Sequence, residues 1–417
     1  MSATAATDAS RGKSALPEVL LRPGREKSLL RRHPWVFSGA VAAAPDLPPG
    51  EPVAVRASDG RLLATGFLSP ASQLRVRVLS FDESTPADLS LVRRRVEAAA
   101  ALRAPLWDAQ RRSAMRLVHG ESDGLPGFVA DRYGPVICVQ LLCAGFQRLR
   151  DAIGPMLLDL FPDVSAVIER PDAKALAREG LPPRQEAELL AARPGADTAA
   201  IRRVLVNFGG SRRLVDTFCG QKTGTYLDQA ENQIAVGALA SGRDVLDVFC
   251  CDGGFTLACL RGGAKSVLSV DSSAPALEAL AENLALNGLD GDARCETTRA
   301  DAFEFLRKLR DSRRSFDLIV LDPPKLAETK VRAEKACRAY KDLNLLCFKL
   351  LRPGGLLATF SCSGAVDPAL FRAVVAEAAC DAGRDAKTIR FFSQSPDHPV
   401  ALSFPEGLYL KGLLCAV

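Results

Sequence analysis

The sequence predicts an α/β protein with three domains. These are a small N-terminal β-barrel over residues 16–90, a small α/β middle domain over 91–212, and a C-terminal domain built on a doubly wound parallel sheet over 213–417. Short strand patterns separated by turns fill the first segment, whereas strands and helices mix in the second. In the third, strands alternate with helical segments of about 10–20 residues, which is typical of parallel sheets.

Charge is distributed unevenly along the chain. The net charge is +5, and residues 1–120 hold 18 Lys and Arg against 11 Asp and Glu. A basic N-terminal part followed by a near-neutral remainder favours a polyanion-binding domain that is joined to a domain with another activity. The alternative is an arginine-rich surface that is simply exposed to solvent.

Cysteine usage and hydropathy indicate the compartment. The twelve cysteines are scattered without CxxC or Cys/His spacing, so the sequence predicts reduced thiols and no metal site. There is neither an apolar leader nor an apolar run long enough to span a membrane. We therefore expect a cytoplasmic protein that does not contact membranes, with residues 1–15, small and polar, disordered.

The first domain carries candidate nucleic-acid contacts. Within the strand "QLRVRVLSF", alternation places Val76 and Val78 on the inner face and the arginines outside. Basic groups near aromatic ones suit phosphate contact with base stacking, although Trp35 and Phe37 are expected to fill the barrel core. The candidate RNA-binding residues here are Arg25, Lys27, Arg31, Arg32, Arg75 and Arg77.

The middle domain begins with a predicted helix over about 87–112. A turn at 124–127 precedes two strands, a helix covers 148–161, and further strands cover 164–170 and 201–209. The polar, proline-bearing segment 181–200 is predicted to be a loop insertion.

The third domain predicts a cofactor site, because doubly wound sheets bind ligands outside the carboxyl ends of their strands. The first turn, "DVFCCDGGF", lacks the GxGxxG of a dehydrogenase and carries Asp247 and Asp252, which would repel a pyrophosphate. S-adenosylmethionine (SAM), with an ammonium and a sulfonium, fits better. Asp271 follows the next strand and suits ribose hydroxyls, while Asp301 suits the adenine amino group. This pattern is typical of class I methyltransferases; the alternative is three unconnected, exposed aspartates.

A reacting site is predicted at the ends of the next two strands. The prolines after Asp322 stop the fourth strand, and Lys325 stands where amino-methylating enzymes often have an aromatic residue. Cys362 closes the following strand. A thiolate that adds to C6 of a pyrimidine makes C5 nucleophilic, and a nearby acid at N3 supports the addition. The alternative for Cys362 is a small buried hydrophobe.

Several stretches resemble the bacterial 23S ribosomal RNA cytosine-5 methyltransferases that carry an N-terminal PUA domain. The stretches are "HPWVFSGAV" (33–41), "DGLPGFVADRYG" (123–134), "KTGTYLDQAENQ" (222–233), "GGF" (253–255), "FDLIVLDPPK" (316–325), "FSCSG" (360–364) and "DHPVALSFPEGLYLKGL" (397–413). The resemblance implies a PUA-like first domain, a Rossmann-like methyltransferase domain, and Cys362 as nucleophile with Asp322 as its partner. It departs at Cys250, Cys251 and Asp252, and "DPPK" lacks the second cysteine common in the wider group.

Strand ends and resemblance together predict the cofactor-binding set. Its members are Tyr226, Asp228, Gln229, Asp247, Phe249, Gly253, Gly254, Phe255, Asp271, Ser272, Asp301, Ala302, Asp322 and Pro323. Lys325 joins the predicted RNA contacts. The expected partner is 23S ribosomal RNA or a large-subunit assembly intermediate, with a homodimer as one option for assembly. The base that removes the C5 proton stays open, since Ser361 and Ser363 are not convincing. The rival functions are methylation of another base or position and a catalytically lapsed ribosome-assembly factor.

Overall fold

The computed structural model of the protein describes residues 16–82, 85–220, 222–326 and 333–417, so the predicted disorder of residues 1–15 lies outside the described residues. The first domain contains six short strands and one short helix. These are β1 (Glu18–Leu21), α1 (Lys27–Leu30), β2 (Trp35–Phe37), β3 (Val41–Ala43), β4 (Pro52–Arg56), β5 (Leu62–Leu68) and β6 (Leu74–Ser80).

The strands of the first domain form one curled sheet in the order β2-β6-β5-β4-β1-β3. Its two edge strands, β2 and β3, are consecutive in the chain and joined by the single turn Ser38–Ala40, so the edges meet as in a small barrel. Val76 and Val78 are buried, as the alternation predicts. Phe37, predicted to fill the core, is instead 52% exposed. The prediction is wrong because β2 is an edge strand whose outer face has no covering layer.

The middle domain is a five-stranded sheet, in the order β11-β10-β9-β8-β7, with helices packed against it. Its elements are α2 (Leu89–Arg103), β7 (Ala114–His119), β8 (Phe128–Tyr133), β9 (Val136–Leu141), α3 (Ala144–Arg148), α4 (Arg150–Leu160), β10 (Ala166–Glu169), α5 (Ala173–Arg178), β11 (Glu188–Ala192) and α6 (Thr198–Arg202).

Two sequence predictions for this domain are corrected. Helix α2 ends at Arg103, nine residues before the predicted end, because Pro105 turns the chain into a short 3-10 segment. The predicted loop insertion 181–200 contains β11, which pairs antiparallel with β10. That pairing depends on a partner strand about twenty residues away, so local composition did not reveal it.

A hairpin connects the middle domain to the third domain. Its strands, β12 (Arg203–Phe208) and β13 (Ser211–Asp216), pair only with each other within the described residues. The predicted boundary between residues 212 and 213 falls inside β13, which assigns the two strands of one hairpin to different domains. The boundary between residues 90 and 91 remains a prediction.

The third domain alternates strands and helices as predicted. Its elements are α7 (Ala230–Gly237), β14 (Asp244–Val248), α8 (Gly254–Arg261), β15 (Ser266–Asp271), α9 (Ala274–Leu286), β16 (Cys295–Arg299), α10 (Ala302–Asp311), β17 (Phe316–Leu321), α11 (Ala333–Leu350), β18 (Leu351–Ser361), α12 (Pro368–Asp381), β19 (Lys387–Ser393) and β20 (Lys411–Ala416).

These strands form one sheet in the order β16-β15-β14-β17-β18-β20-β19, in which β20 runs antiparallel to both of its neighbours, β18 and β19. Apolar clusters cover both faces, with Leu246 and Ile319 on one and Val245 and Leu318 on the other. The strand order reverses between β14 and β17, which places the topological switch point, and hence a ligand crevice, at their carboxyl ends. Among the described residues, no helix has the length and apolar character needed to cross a membrane.

Candidate active site

The carboxyl edge of the seven-stranded sheet gathers four predicted site residues. Asp322 and Cys362 follow the neighbouring strands β17 and β18, whose ends pair through Leu321 and Thr359. Asp247 lies near the end of β14, which pairs with β17 on its other side, and Asp271 ends β15. Residues separated by more than 100 positions in the sequence therefore share one edge beside the switch point.

Asp322 is a carboxyl group held in place and kept partly neutral. The Gln229 side-chain amide donates a hydrogen bond of 3.0 Å to Asp322 Oδ2, and Asn232 in turn donates to Gln229 Oε1 at 2.6 Å. Burial raises the pKa of Asp322 to about 7, the negative charge of Asp228 adds to the shift, and the bond from Gln229 opposes it. A large fraction of this carboxyl group is therefore protonated at neutral pH and able to donate a proton.

Cys362 is half-buried, and the acidic side chains near it do not favour the ionised form of its thiol. Burial raises its pKa to about 11, and the charge of Asp322 adds to this, while the ammonium groups of Lys222 and Lys325 lower it. The flanking serines, Ser361 and Ser363, are buried and share hydrogen bonds with the Tyr340 hydroxyl at 2.9 and 3.0 Å. Through these hydrogen bonds, the two serines hold the end of β18 against α11.

The "YLDQ" segment borders the same site. Lys222 Nζ and the Tyr409 hydroxyl both donate to Asp228 Oδ2, at 2.8 and 2.5 Å, and Lys222 also lies 4.5 Å from the ring centroid of Tyr226. Burial opposes ionisation of Asp228, but the charges of Lys222 and His398 and the hydrogen bonds from Lys222 and Tyr409 together outweigh it, so the pKa falls below its ordinary value. Asp228 Oδ1 is buried and has no hydrogen-bond partner among the described residues, so it is available to a ligand.

The middle domain anchors the chain that leads into this segment. Thr223 donates to Asp131 of β8 and shares a hydrogen bond of 3.0 Å with the Tyr133 hydroxyl. Asp131 is held in turn by the guanidinium of Arg116, with bonds of 2.5 and 3.0 Å. All four side chains are buried. The position of Asp228 and Gln229 therefore depends on the fold of the middle domain as well as on the seven-stranded sheet.

The turn after β14 has an unusual backbone. Phe249, Cys251 and Gly253 adopt φ values of +65°, +50° and +86°. Left-handed conformations of non-glycine residues cost on the order of 1 kcal/mol each and cluster at ligand sites. The Cys251 amide donates to Asp271 Oδ2 at 3.0 Å, which ties the turn to the next strand end.

The negative charge of Asp252 is held by neighbouring polar and cationic groups. Its carboxylate accepts a hydrogen bond of 2.7 Å from Thr225 and lies 3.6 Å from the buried guanidinium of Arg213. The ion pair with Arg213 offsets part of the negative charge of Asp252, and the predicted repulsion of a pyrophosphate stays a prediction.

Asp247 presents a second unsatisfied carboxyl oxygen. Thr256 donates to Asp247 Oδ2 at 2.7 Å, while Oδ1 is buried with no partner within the described residues. Burial raises the pKa of Asp247 to about 7. A cationic or hydroxyl-bearing ligand would satisfy this oxygen and favour its ionised form.

Other residues of the predicted cofactor set have structural explanations. A Cβ atom on Gly253 would lie 2.1 Å from Leu280, and one on Gly254 would lie 2.3 Å from Gln233, so both glycines permit close packing. Phe255 and Ala302 are buried in the core on opposite faces of the sheet, and Asp301 caps α10 through the amides of Phe303 and Glu304. Ser272 is exposed and Pro323 buried, both directly after strand ends.

The predicted RNA contacts divide into two groups. Arg25, Lys27, Arg31 and Arg32 around α1 are exposed, as is Lys325 beside the site. Arg75 is half-buried and donates to the Pro70 carbonyl. Arg77 forms an ion pair of 2.8 Å with Glu179 of the middle domain, and both side chains are largely enclosed. The prediction of an outward-facing Arg77 is wrong, because the outer face of β6 packs against the middle domain.

Trp35 also lies at a domain interface rather than in the barrel core. Its indole nitrogen donates to Glu121 at 2.9 Å, and its ring lies 4.8 Å from that of Phe404 in the third domain. The three domains therefore meet around this side chain.

The residues at the edge suit SAM. Two buried, unpartnered carboxyl oxygens, on Asp228 and Asp247, match a ligand that carries an ammonium and hydroxyl groups. Asp271 stands at the next strand end. The described residues contain no group of three or more His, Cys, Asp or Glu side chains that could hold a metal ion.

Comparison with known proteins defines the class. The PUA-like domain family matches residues 19–81, and the S-adenosylmethionine-dependent methyltransferase family matches 189–410. Two solved methyltransferase structures share the fold over 96% of this chain and all of theirs: a SAM-dependent methyltransferase from Streptococcus mutans (TM-score 0.81, 18% identity) and one complexed with SAH (TM-score 0.82, 19% identity). The protein is a SAM-dependent methyltransferase, as predicted.

Full-length relatives define the family. Proteins named ribosomal RNA large subunit methyltransferase I, from Klebsiella pneumoniae (strain 342), Aeromonas hydrophila and Shewanella amazonensis, are each 44% identical to this chain. The matches cover 97%, 95% and 96% of this chain and 99%, 98% and 99% of the respective relatives. The chain belongs to the ribosomal RNA large subunit methyltransferase I family, which confirms the predicted family and fold class.

Three polar residues near the site were missed by sequence reasoning. Lys222 and Tyr409 hold Asp228, and Lys411 lies beside the end of β18. A signal was present for Lys411, a charged residue inside the otherwise apolar strand "LKGLLCA". The contact of Tyr409 with Asp228 joins positions 181 residues apart, so the local sequence could not reveal it, whereas Lys222 lies only six residues before Asp228.

Proposed function

We propose that the protein methylates C5 of a cytosine in 23S ribosomal RNA, through a covalent bond between Cys362 and C6 of the base. The names of its relatives indicate large-subunit ribosomal RNA as the substrate, either free or in an assembly intermediate. The observation that carries the chemistry is the placement of the Cys362 thiol and the Asp322 carboxyl group, which is partly protonated near pH 7, at the ends of adjacent strands beside the switch point.

The cofactor would be held by the residues around the first turn. Asp247, Asp228 and Asp271 offer carboxyl oxygens, and the backbone around Phe249 and Cys251 lines the crevice at the strand ends. When bound, SAM supplies an electrophilic methyl group on a positively charged sulfur.

The reaction follows from the two side chains. The Cys362 thiolate forms a bond to C6, while Asp322 donates its proton to N3, so that C5 gains the nucleophilic character of an enamine. After methylation, a base or water takes the C5 proton, the N3 proton returns to the Asp322 carboxylate, and the C6–S bond breaks as the thiolate leaves. The two prolines after Asp322 cannot extend the ladder, and Gln229 fixes the carboxyl group, so the acid is held ready at the edge.

Substrate binding would involve the cationic groups of the first domain. Arg25, Lys27, Arg31 and Arg32 are exposed and suited to phosphate contacts, and Lys325 is exposed beside the reacting groups. Arg77 is excluded from this role by its ion pair with Glu179.

The test uses Cys362→Ala with ribosomal RNA that carries 5-[³H]cytosine. Release of tritium reports loss of the C5 hydrogen, and we expect the rate to fall at least about a thousandfold, because the nucleophile is absent. Cys380→Ala, at an exposed cysteine on α12, is the matched control and should keep full activity.

The outcomes separate the rival functions. A Cys362→Ala variant that still releases tritium would overturn the covalent mechanism. Methyl transfer without any tritium release in the wild-type protein would indicate another base or position, which mass mapping of the RNA would locate. Failure of the wild-type protein to bind SAM in calorimetry would favour a lapsed assembly factor.

A further inference from the structure

Lys411 is a buried amine to which neither the family comparison nor the reaction above assigns a role. It is the first residue of β20, and its residue surface is 6% exposed. In the antiparallel pairing of β20 with β18, Lys411 stands directly opposite Ser361, the residue before Cys362. The sheet therefore fixes this amine at the end of β18, next to the residues that flank the nucleophile.

The hydrogen bonds of Lys411 are incomplete for an ammonium group. Nζ donates to the Ser363 carbonyl at 2.6 Å and to the Tyr409 carbonyl at 3.0 Å. Within the described residues, no carboxylate oxygen lies close enough to this nitrogen, within 4.0 Å, to form an ion pair. A neutral amine satisfies both carbonyls with its two N–H groups and keeps a lone pair, whereas an ammonium would carry a third donor and an uncompensated buried charge.

The charges around Lys411 point to Cys362 as its missing anion. Burial lowers the pKa of Lys411 to about 8, while negative charge on Cys362 or Asp367 raises it and Lys325 lowers it further. Of the two other cations near the thiol, Lys222 is already paired with Asp228, and Lys325 is exposed to solvent. The remaining titratable groups that face the pair are Asp322, Asp228, Tyr226, Tyr340 and Tyr409.

We propose that Lys411 accepts the proton of Cys362 and then serves as the counter-ion of the thiolate; this rests on the proposed function. The S–H bond of Cys362 breaks and an N–H bond forms on Nζ, so a neutral pair becomes an ammonium–thiolate pair. The thiolate forms the S–C6 bond, and when that bond breaks at the end of the reaction the electron pair returns to sulfur. Lys411 stays protonated between these two events, and no further reactant is needed.

The experiment measures the reactivity of Cys362 in the full-length protein, without RNA. Iodoacetamide alkylation of the Cys362 peptide is followed by mass spectrometry from about pH 6 to about pH 10, with the exposed Cys219 as internal reference. In Lys411→Met we expect the alkylation rate at about pH 8 to fall roughly tenfold, the change that corresponds to a thiol pKa about one unit higher. Lys411→Arg, which keeps a cation but not an acceptor, should retain reactivity at high pH while losing methylation kcat.

Two controls keep the test decisive. Lys411→Gln retains two N–H donors for the carbonyls but no basic amine, so it separates loss of the amine from loss of packing. If the folded Lys411→Gln variant alkylates like the wild type, the proposal is wrong. In methylation assays kcat should fall while the KM for RNA stays unchanged. Since alkylation does not involve cytosine, a wild-type protein that shows the lysine effect but releases no tritium would refute the proposed function alone.

Discussion

The carboxyl edge of the seven-stranded sheet and the surface around α1 both concentrate ionisable side chains, but they expose them to water very differently. At the edge, Asp322 is half-buried and Lys411 is buried, and burial moves the pKa of each toward neutrality. Around α1, Arg25 and Lys27 lie in solvent. Enclosed groups can exchange protons near neutral pH, whereas solvated cations keep their charge and attract phosphates at long range. Burial therefore separates the chemistry from the attraction of the substrate.

The largest effect is expected at Asp322. Asp322→Asn removes the proton donor, and we expect the methylation rate to fall about 10²–10³-fold. The hydrogen bond from Gln229 can be kept, because the side-chain oxygen of Asn also accepts. In the wild type, ionisation of Asp322 should reduce activity above about pH 7, since the donor is then lost. A pH–rate profile measures this decline in activity above about pH 7. The decline should be absent from the residual activity of Asp322→Asn.

The same substitution should stabilise the protein. The folded-state pKa of Asp322 is raised to about 7, so the favourable contribution of its neutral form is present below the unfolded pKa of about 3.9 and is lost as pH rises to about 7. The difference in Tm between Asp322→Asn and wild type should grow over this window and level off above it. A constant difference would show that the carboxyl group ionises normally in the folded state.

The next largest effect is expected in β6, where the enclosed Arg77 and the half-buried Arg75 can be compared within one strand. Arg77→Met leaves Glu179 buried without its cation, and we expect a loss of about 3–5 kcal/mol in the free energy of unfolding. Arg75→Met removes a bond to a carbonyl and should cost about 1 kcal/mol. Urea denaturation measures both. The double variant Arg77→Met, Glu179→Gln should be more stable than Arg77→Met alone; equal losses at Arg75 and Arg77 would contradict the enclosed ion pair.

The smallest effect concerns the exposed cations. Replacing Arg25, Lys27, Arg31 and Arg32 with Gln should weaken RNA binding about tenfold or more and reduce the slope of log K against log salt by about 3, since each phosphate contact contributes about 0.7. Filter binding at several salt concentrations measures the slope. A control with the same change in charge replaces the exposed Arg307, Lys308, Arg310 and Arg313 near α10. An equal change of slope in both variants would mean that only net charge matters.

The predicted elements were most accurate where sequence periodicity and burial coincide. The parallel strands β14, β15, β17 and β18 are rich in Val, Leu and Ile, and Asp271, Asp322 and Cys362, predicted at strand ends, lie at the observed ends. Predictions failed where a partner strand or a neighbouring domain decides exposure. Strand β11 exists through its pairing with β10, and Phe37 is exposed because nothing covers β2. Composition could not reveal either, since both depend on contacts distant in sequence.

The sequence by itself determined the class of the protein, its sheet and the strand ends that carry Asp322 and Cys362, because strand patterns and turn residues act locally. Only the tertiary structure decided what those strand ends meet. The pairing of β18 with β20 brings Lys411 beside Cys362, and the middle domain holds the segment that carries Asp228. Desolvation and charge pairing depend on distances in space, and these distances arise only when segments far apart in the chain pack together.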